Sequence, residues 1–253
     1  MKVVLLQMDV EWAHGKANRE KAERMILGCP GADLYVLPEM FSTGFAVEPE
    51  ACAEQNGESL EWMREMARRT QAAVCGSVAV KADDAFYNRM YFVKPDREVV
   101  AYDKRHLFTY GGEQLRYEKG MQRKVVEWRG FKFLLQVCYD LRFPVFARNV
   151  DDYDVAVYVA NWPESRRKVW DILLKARAIE NQCYVLGVNR VGNDPVCQYD
   201  GGTVAVSPYG KVIAECGDTA EEGCVVELDK ESLNAFRKKF PVLLDRDEFS
   251  LIR

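Results

Sequence analysis

The sequence predicts an α/β protein with mixed β-structure, either one large mixed sheet or two sheets packed together, and helices on the outside. Three observations lead there. Short apolar strand-like runs alternate with helix-like runs almost to the end of the 253 residues. Several successive strand runs are joined by hairpin-type turns rather than by helices, which fits a mixed arrangement better than a doubly wound one. No Pro/Ser/Gly-rich linker, repeat or low-complexity stretch divides the chain, so one domain spanning 1–253 is expected.

The elements follow in order. KVVLLQM (2–8) reads as a first buried strand, followed by a helix over 16–28. Strand 33–38 (DLYVLP), helix 58–70 and strands 72–80, 88–95 and 99–104 come next. Strand 131–138 (FKFLLQVC) leads into a helix over 142–150 and a strand over 154–161. The strongest helix covers 164–182: Trp170, Leu173, Leu174, Ala178 and Ile179 recur at helical spacing, while Arg166, Arg167, Lys168 and Lys175 take the polar face. Strands 183–190, 202–208, 211–216 and 224–229 and a helix over 230–239 complete the set. EWRGFKF around Gly130 and SPYGKV around Gly210 carry turn chemistry for hairpins. The tail, 240–253, is too apolar for a disordered end and is expected to dock on its own subunit or on a neighbour.

Composition narrows the function. Apolar residues make up 48% of the chain, enough for a sizeable core, and the net charge of -4 comes from mixed acids and bases. That balance offers no footprint for nucleic acid or an anionic membrane, which leaves a small molecule as the expected partner. No run approaches the roughly 20 apolar residues of a membrane span, and the N-terminus has no signal-peptide pattern, so a cytoplasmic location is expected. The 8 cysteines include no CxxC pair and are expected to stay reduced, most of them as small buried hydrophobes. With His14 and His106 as the only histidines, a zinc site built on imidazole is excluded, and no metal is expected.

One cysteine stands apart. Cys138 ends an apolar strand and precedes charged residues and an expected helix start. A strand-to-helix turn exposes its first side chain and leaves free backbone N–H groups beyond it, as in a nucleophile elbow with an oxyanion hole. The positive end of a helix there would favour the thiolate. Two other strand ends carry charge: Glu39 in DLYVLPEMFSTGF and Lys104 in VVAYDKRHLF. In α/β proteins the carboxyl ends of strands converge on the active site, so the three can meet in one pocket. Alternatives remain at this level. Cys138 can be another buried strand cysteine, Glu39 a cap and Lys104 a solvated charge. A Cys138–His106 hydrolase and a thiol redox sensor are the rival functions.

LPEMFSTGF, YDKRHLF and CYDLRFP, in that order, closely resemble the three signatures of the nitrilase superfamily of carbon–nitrogen hydrolases. Further matches run through YVANWP (158–163) and KARAIENQ (175–182) to DEF near the C-terminus, so the resemblance covers essentially the whole chain. The wording looks like the omega-amidase branch. The resemblance implies a four-layer α-β-β-α sandwich with two mixed sheets. It also implies hydrolysis of the terminal amide of a small 2-oxo acid, such as 2-oxoglutaramate or 2-oxosuccinamate, through a thioester and without a cofactor. Cys138 would attack, Glu39 would be the general base, and Lys104 with the Tyr139 N–H would hold the oxyanion. Glu113 matches the place of a second glutamate found in the family, ahead of the nearby Glu118. Other amidases of the superfamily, for deaminated glutathione or N-carbamoyl compounds, would use the same residues.

For the substrate, Arg142 lies one helical turn beyond Cys138, and a guanidinium suits a remote carboxylate. Its alternative is pairing with an acid such as Asp140. Phe41 and Trp162 can wall the pocket or simply pack in the core, and Asn161 can position a loop. Arg177 and Glu180, three apart, suggest a local or intersubunit ion pair. Family members commonly assemble through helices near these positions, which makes a homodimer the expectation.

Overall fold

In the computed structural model, which describes residues 1–251, the strand runs sort into two six-stranded mixed sheets. The first contains β1 (Lys2–Gln7), β2 (Leu34–Val36), β3 (Ala73–Ala82), β4 (Ala85–Val93) and β5 (Val99–Asp103), side by side in that order. The second holds β6 (Val125–Trp128), β7 (Phe131–Val137), β8 (Val155–Val159), β9 (Tyr184–Val188), β12 (Val204–Val206) and β13 (Val212–Glu215). A two-stranded ribbon, β10 (Val191–Asn193) with β11 (Gln198–Asp200), stands between β9 and β12 in sequence. The last strand, β14 (Glu222–Glu227), returns to the first sheet and pairs antiparallel with β1.

Helices α1 (Gly15–Gly28) and α2 (Glu58–Thr70) cross over between β1, β2 and β3, which run parallel. In the second sheet β7, β8 and β9 are parallel, with α3 (Pro144–Ala147) and α4 (Arg167–Glu180) in the crossovers. Because β4 and β5 form antiparallel pairs in succession, β5 points the same way as β2, and their carboxyl ends share one edge. Helix α5 (Lys230–Lys239) follows β14 and is capped by Asp229, which accepts from Ser232 N at 2.9 Å.

Strand alternation builds the layers. Val3 and Leu5 of β1 point inward and join Phe92, Phe133, Leu135, Val157 and Leu186 in a core between the sheets. Val4 and Leu6 point outward to Ile26 of α1 and Met63 and Met66 of α2. On the far side, Ala156, Tyr158 and Val185 meet Trp170, Leu174 and Ala178 of α4. The result is the α-β-β-α sandwich. Strands covered on both faces read as continuous apolar runs, and each fully buried Val or Leu adds roughly 1.5–3 kcal/mol.

Two expectations about helices change. The helix expected over 142–150 is a 3-10 turn over Cys138–Arg142 followed by the four-residue α3. Pro144 is the cause, because the residue before a proline is pushed out of the helical region, and Phe143 sits at φ -117, ψ 85. Helix α4 also turns differently from the predicted apolar stripe. Ile179 is 54% exposed, whereas Arg177 is buried, pairing with Glu180 at 2.9 Å and donating to Leu141 O at 2.6 Å.

In the tail, Leu243 is buried and Gln182 Nε2 donates to Phe240 O at 2.6 Å, but Phe240, Leu244, Phe249 and Leu251 remain exposed. The last two positions of the expected docking tail lie outside the described residues. Among the described residues no helix is long and apolar enough to cross a membrane.

Candidate active site

Three chain segments end at the same edge of the sandwich. Glu39 lies just past β2, Lys104 directly follows β5, and Cys138 directly follows β7 of the facing sheet. Cys138 is held at φ +45, a left-handed conformation that few non-glycine residues adopt, as a nucleophile elbow requires. Met40, next to Glu39, is left-handed too at φ +42, and its N–H donates to Ser77 Oγ at 2.9 Å. The Lys104 side of the site needs a close backbone crossing. Gly120 N donates to Lys104 O at 2.9 Å, and a Cβ on Gly120 would fall 2.0 Å from Asp103 O.

The side chains then meet. Lys104 Nζ donates to Glu39 Oε1 at 2.9 Å and to Glu113 Oε1 and Oε2 at 3.1 and 2.9 Å, and all three side chains are fully buried. Asn88 Nδ2 bridges both carboxylates, at 2.7 Å to Glu39 Oε1 and 3.2 Å to Glu113 Oε1. Ser77 Oγ donates to Asn88 Oδ1 at 2.9 Å and so orients that amide. Asn161 N donates to Glu39 Oε2 at 2.8 Å, and Phe108 N to Glu113 Oε2 at 2.6 Å. Two carboxylates around one buried ammonium are tolerable only with this density of donors.

Burial opposes the charge on Lys104, but Glu113 and Glu39 outweigh it and hold the ammonium well above its usual 10.5. Burial raises Glu113; Lys104 pulls it down, Glu39 adds to the rise, and the balance is upward. For Cys138, burial comes first and Glu39 second; both raise the thiol, and Lys104 only partly offsets them. The expectation of a thiolate favoured by a helix end is therefore corrected. The turn after Cys138 is a short 3-10 segment, and the carboxylates counter the lysine. These influences favour the protonated thiol of Cys138 over the thiolate. Iodoacetamide should thus modify Cys138 more slowly at pH 7 than it modifies free cysteine, with the rate climbing above the usual 9.0. Peptide mapping by mass spectrometry reads this, and a faster rate than free cysteine at pH 7 would contradict the raised thiol.

Asp140 ties the elbow to the lysine strand. Its buried carboxylate accepts from Tyr102 OH at 2.7 Å, His106 N at 2.9 Å and Val137 N at 3.0 Å, and His106 Nδ1 lies 2.8 Å from Oδ1. His106 is held there with its ring stacked on Phe143, centroids 4.0 Å apart. Asp140 is thus taken by His106 and Tyr102 and is no partner for Arg142. Asp140→Ala should cost about 3 kcal/mol in urea denaturation, since it strands several buried donors, whereas a loss under about 1 kcal/mol would refute the tie.

The other predicted residues fall as follows. Glu113 meets Lys104, while Glu118 is exposed. Tyr139 follows Cys138 in the first turn, where its N–H has no intrahelical acceptor, and its ring meets Phe108 and Phe143 edge-on, each at 5.1 Å. Arg142 stacks over Trp162 at 5.2 Å and has no carboxylate partner among the described residues. Trp162 is itself buried, and its backbone N–H donates to Asn189 Oδ1 at 2.7 Å. Phe41 does not reach the site: it is buried against Trp62, ring centroids 5.5 Å apart, in the core beneath α2. Phe45, four residues on, takes the position near the charges, its ring 5.3 Å from Lys104 Nζ.

Sequence reasoning missed Asn88, Ser77 and the tying role of Asp140. Asn88 and Ser77 carried a signal, being polar residues inside apolar strands. Among the described residues no group of three His, Cys, Asp or Glu side chains comes together that could hold a metal ion.

Sheets stacked in this way, with a cysteine elbow at their shared edge, define the nitrilase-like class of hydrolases. Solved structures agree, including a carbon–nitrogen hydrolase superfamily protein of Xanthomonas campestris with an arsenic adduct in its active site. It superposes with a TM-score of 0.96 at 39% identity, covering 99% of this chain and 98% of that one. The chain belongs to the carbon-nitrogen hydrolase family, whose sequence model matches residues 2–238. Its similar relatives include omega-amidase YafV of Yersinia enterocolitica, 45% identical over 100% of this chain and 99% of the relative. The 2-oxoglutaramate amidase of Bacillus subtilis is 35% identical over 95% of each.

Proposed function

We propose that the protein hydrolyses the terminal carboxamide of a small 2-oxo acid, 2-oxoglutaramate or 2-oxosuccinamate, to the dicarboxylate and ammonia. The observation that carries the chemistry is Lys104 held between Glu39 and Glu113 beside the Cys138 elbow. The relatives named for omega-amidase and 2-oxoglutaramate amidase activity support the substrate.

The steps follow from the geometry. Cys138 Sγ attacks the amide carbon while its proton passes to Glu39, the carboxylate that acts most strongly on the thiol. The oxyanion forms against Lys104 Nζ and the Tyr139 N–H. Glu39 returns the proton to the nitrogen, the C–N bond breaks, and ammonia leaves a thioester on Cys138. Water then attacks the thioester carbon as Glu39 takes its proton, and the carbon–sulfur bond breaks to release the carboxylate and restore the thiol. Glu113 is a positioning residue, since it fixes Lys104 from the side opposite Glu39. Arg142, free of acid partners on its Trp162 face, binds the remote carboxylate.

Ammonia release from 2-oxoglutaramate, 2-oxosuccinamate, an aliphatic nitrile and an N-carbamoyl amino acid tests this reading. The two oxo-amides should lead, with an acyl adduct on Cys138 trapped by acid quench. Failure on both oxo-amides with turnover of another amide would sink the substrate assignment, and a protein with no acyl adduct on any of them would fit the redox-sensor reading.

The same reading takes 1–253 as one working domain, placed in the cytoplasm, where the eight free thiols stay reduced. It works as a homodimer through the outer face of α4, where Ile172 and Ile179 are 66% and 54% exposed. Light scattering should give twice the 29.0 kDa of the chain.

A further inference from the structure

We infer that Arg166 is a specificity-determining residue, whose guanidinium at the mouth of the site selects amides with a carboxylate at their far end. The inference rests on the amidase reaction proposed at Cys138 and adds a second cation to the one expected at Arg142.

Two neighbouring arginines show the contrast. Arg167 is bound into three carboxylates, Asp171 at 2.9 Å, Asp200 at 3.2 Å and Asp218 at 3.1 Å. Arg166 has neither a carboxylate nor a side-chain hydrogen bond among the described residues. Its guanidinium instead lies over the rings of Phe108 at 5.3 Å and Tyr110 at 6.0 Å. Stacking fixes the plane of a guanidinium and leaves its edge N–H groups free for an incoming anion.

Phe108 places that cation at the reaction. Its N–H holds Glu113, and its ring meets Tyr139, the neighbour of Cys138, at 5.1 Å. It also meets Phe45 at 6.3 Å, the ring that faces Lys104. A single aromatic ring therefore stands between Arg166 and the groups that surround the thiol. The main chain of Arg166 is fixed as well: its N–H donates to Pro163 O at 3.0 Å, and its carbonyl accepts from Trp162 Nε1 at 2.9 Å. The same Trp162 carries Arg142 on its face. Two unpaired guanidiniums are thus mounted on one rigid aromatic unit.

Charge gives the reason for a second cation. The floor of the site sets two carboxylates against one ammonium, which repels an anionic substrate. Arginines at the rim offset that repulsion, and their fork geometry suits a carboxylate better than a lysine would.

The test uses Arg166→Met and Arg166→Lys in the full chain. One readout is kcat and KM on 2-oxoglutaramate and on pentanamide, an uncharged amide of matching length. The other is calorimetric binding of 2-oxoglutaramate in a Cys138→Ala background, which cannot turn over. Arg166→Met should lower kcat/KM on the oxo-amide on the order of 10- to 100-fold, mostly through KM, and at least tenfold more than on pentanamide. Kd should rise by the same factor, with Arg166→Lys intermediate. Equal losses on both amides mean a structural role and overturn the inference, as does an unchanged KM and Kd. Binding that depends on Arg166, without ammonia release from the protein that retains Cys138, refutes the proposed reaction and leaves the anion site standing.

Discussion

Lys104→Met should lower turnover on the order of 10³-fold or more and destabilise the fold by about 3–5 kcal/mol. The rate effect has two sources. In the proposed reaction the oxyanion loses its ammonium, and Glu39 loses the partner that holds it at 2.9 Å. The stability effect arises because Glu39 and Glu113 share the donor Asn88 and are left facing each other with no cation between them. Its pH dependence has a definite sign. Glu113 is already raised above its usual 4.5, so its ionised form costs stability, and that cost disappears below 4.5 and grows as pH rises through the folded value. The deficit of the variant is therefore larger at pH 8 than at pH 5. In the intact protein Lys104 is raised above 10.5, so its contribution is full below that value and lost only as pH climbs through the folded one. Ammonia assays with urea melts at both pH values check the pair. Retention of a tenth of wild-type turnover, or equal destabilisation at the two pH values, would remove Lys104 from the chemistry.

Cys138→Ala should abolish turnover, by on the order of 10⁴-fold or more, because the proposed thioester forms on its sulfur. Folding should survive, and the backbone supplies a second prediction. Alanine at φ +45 keeps the strain of the elbow, whereas glycine adopts that angle freely. Cys138→Gly should therefore be more stable than Cys138→Ala by about 1 kcal/mol, although both are inactive. Denaturation of the two variants side by side measures this directly. If alanine proves the more stable, the elbow holds no strain. If either variant keeps measurable ammonia release, another nucleophile must be sought.

Much of this was legible before any coordinates. Strand runs covered on both faces stay apolar throughout, so 2–8, 131–138 and 154–161 stood out, and polar residues at their ends marked the edge where chemistry gathers. Short elements were harder. The ribbon residues in VGN and QYD have neither length nor periodicity, and β10 and β11 went unseen. Pro144 forbade the helix expected over 142–150, a signal that was present but outweighed by the apolar pattern. Which of several nearby aromatics faces the site depends on a left-handed turn at Met40, and that turn sends Phe41 into the core and brings Phe45 to the lysine. The stitching of Asp140 to Tyr102 and His106 spans some 35 residues of chain and has no local trace in sequence.

The acid and the lysine sit on one sheet and the thiol on the other, while the final strand turns back to clasp the first. Neither layer alone holds a complete set of reacting groups, and the chain cannot finish the first layer until nearly all of it has been made. Catalytic output is thus a gauge of whole-molecule assembly. A nascent or nicked chain that lacks β14 has an unfinished first layer, and is expected to stay chemically silent until the sandwich is complete.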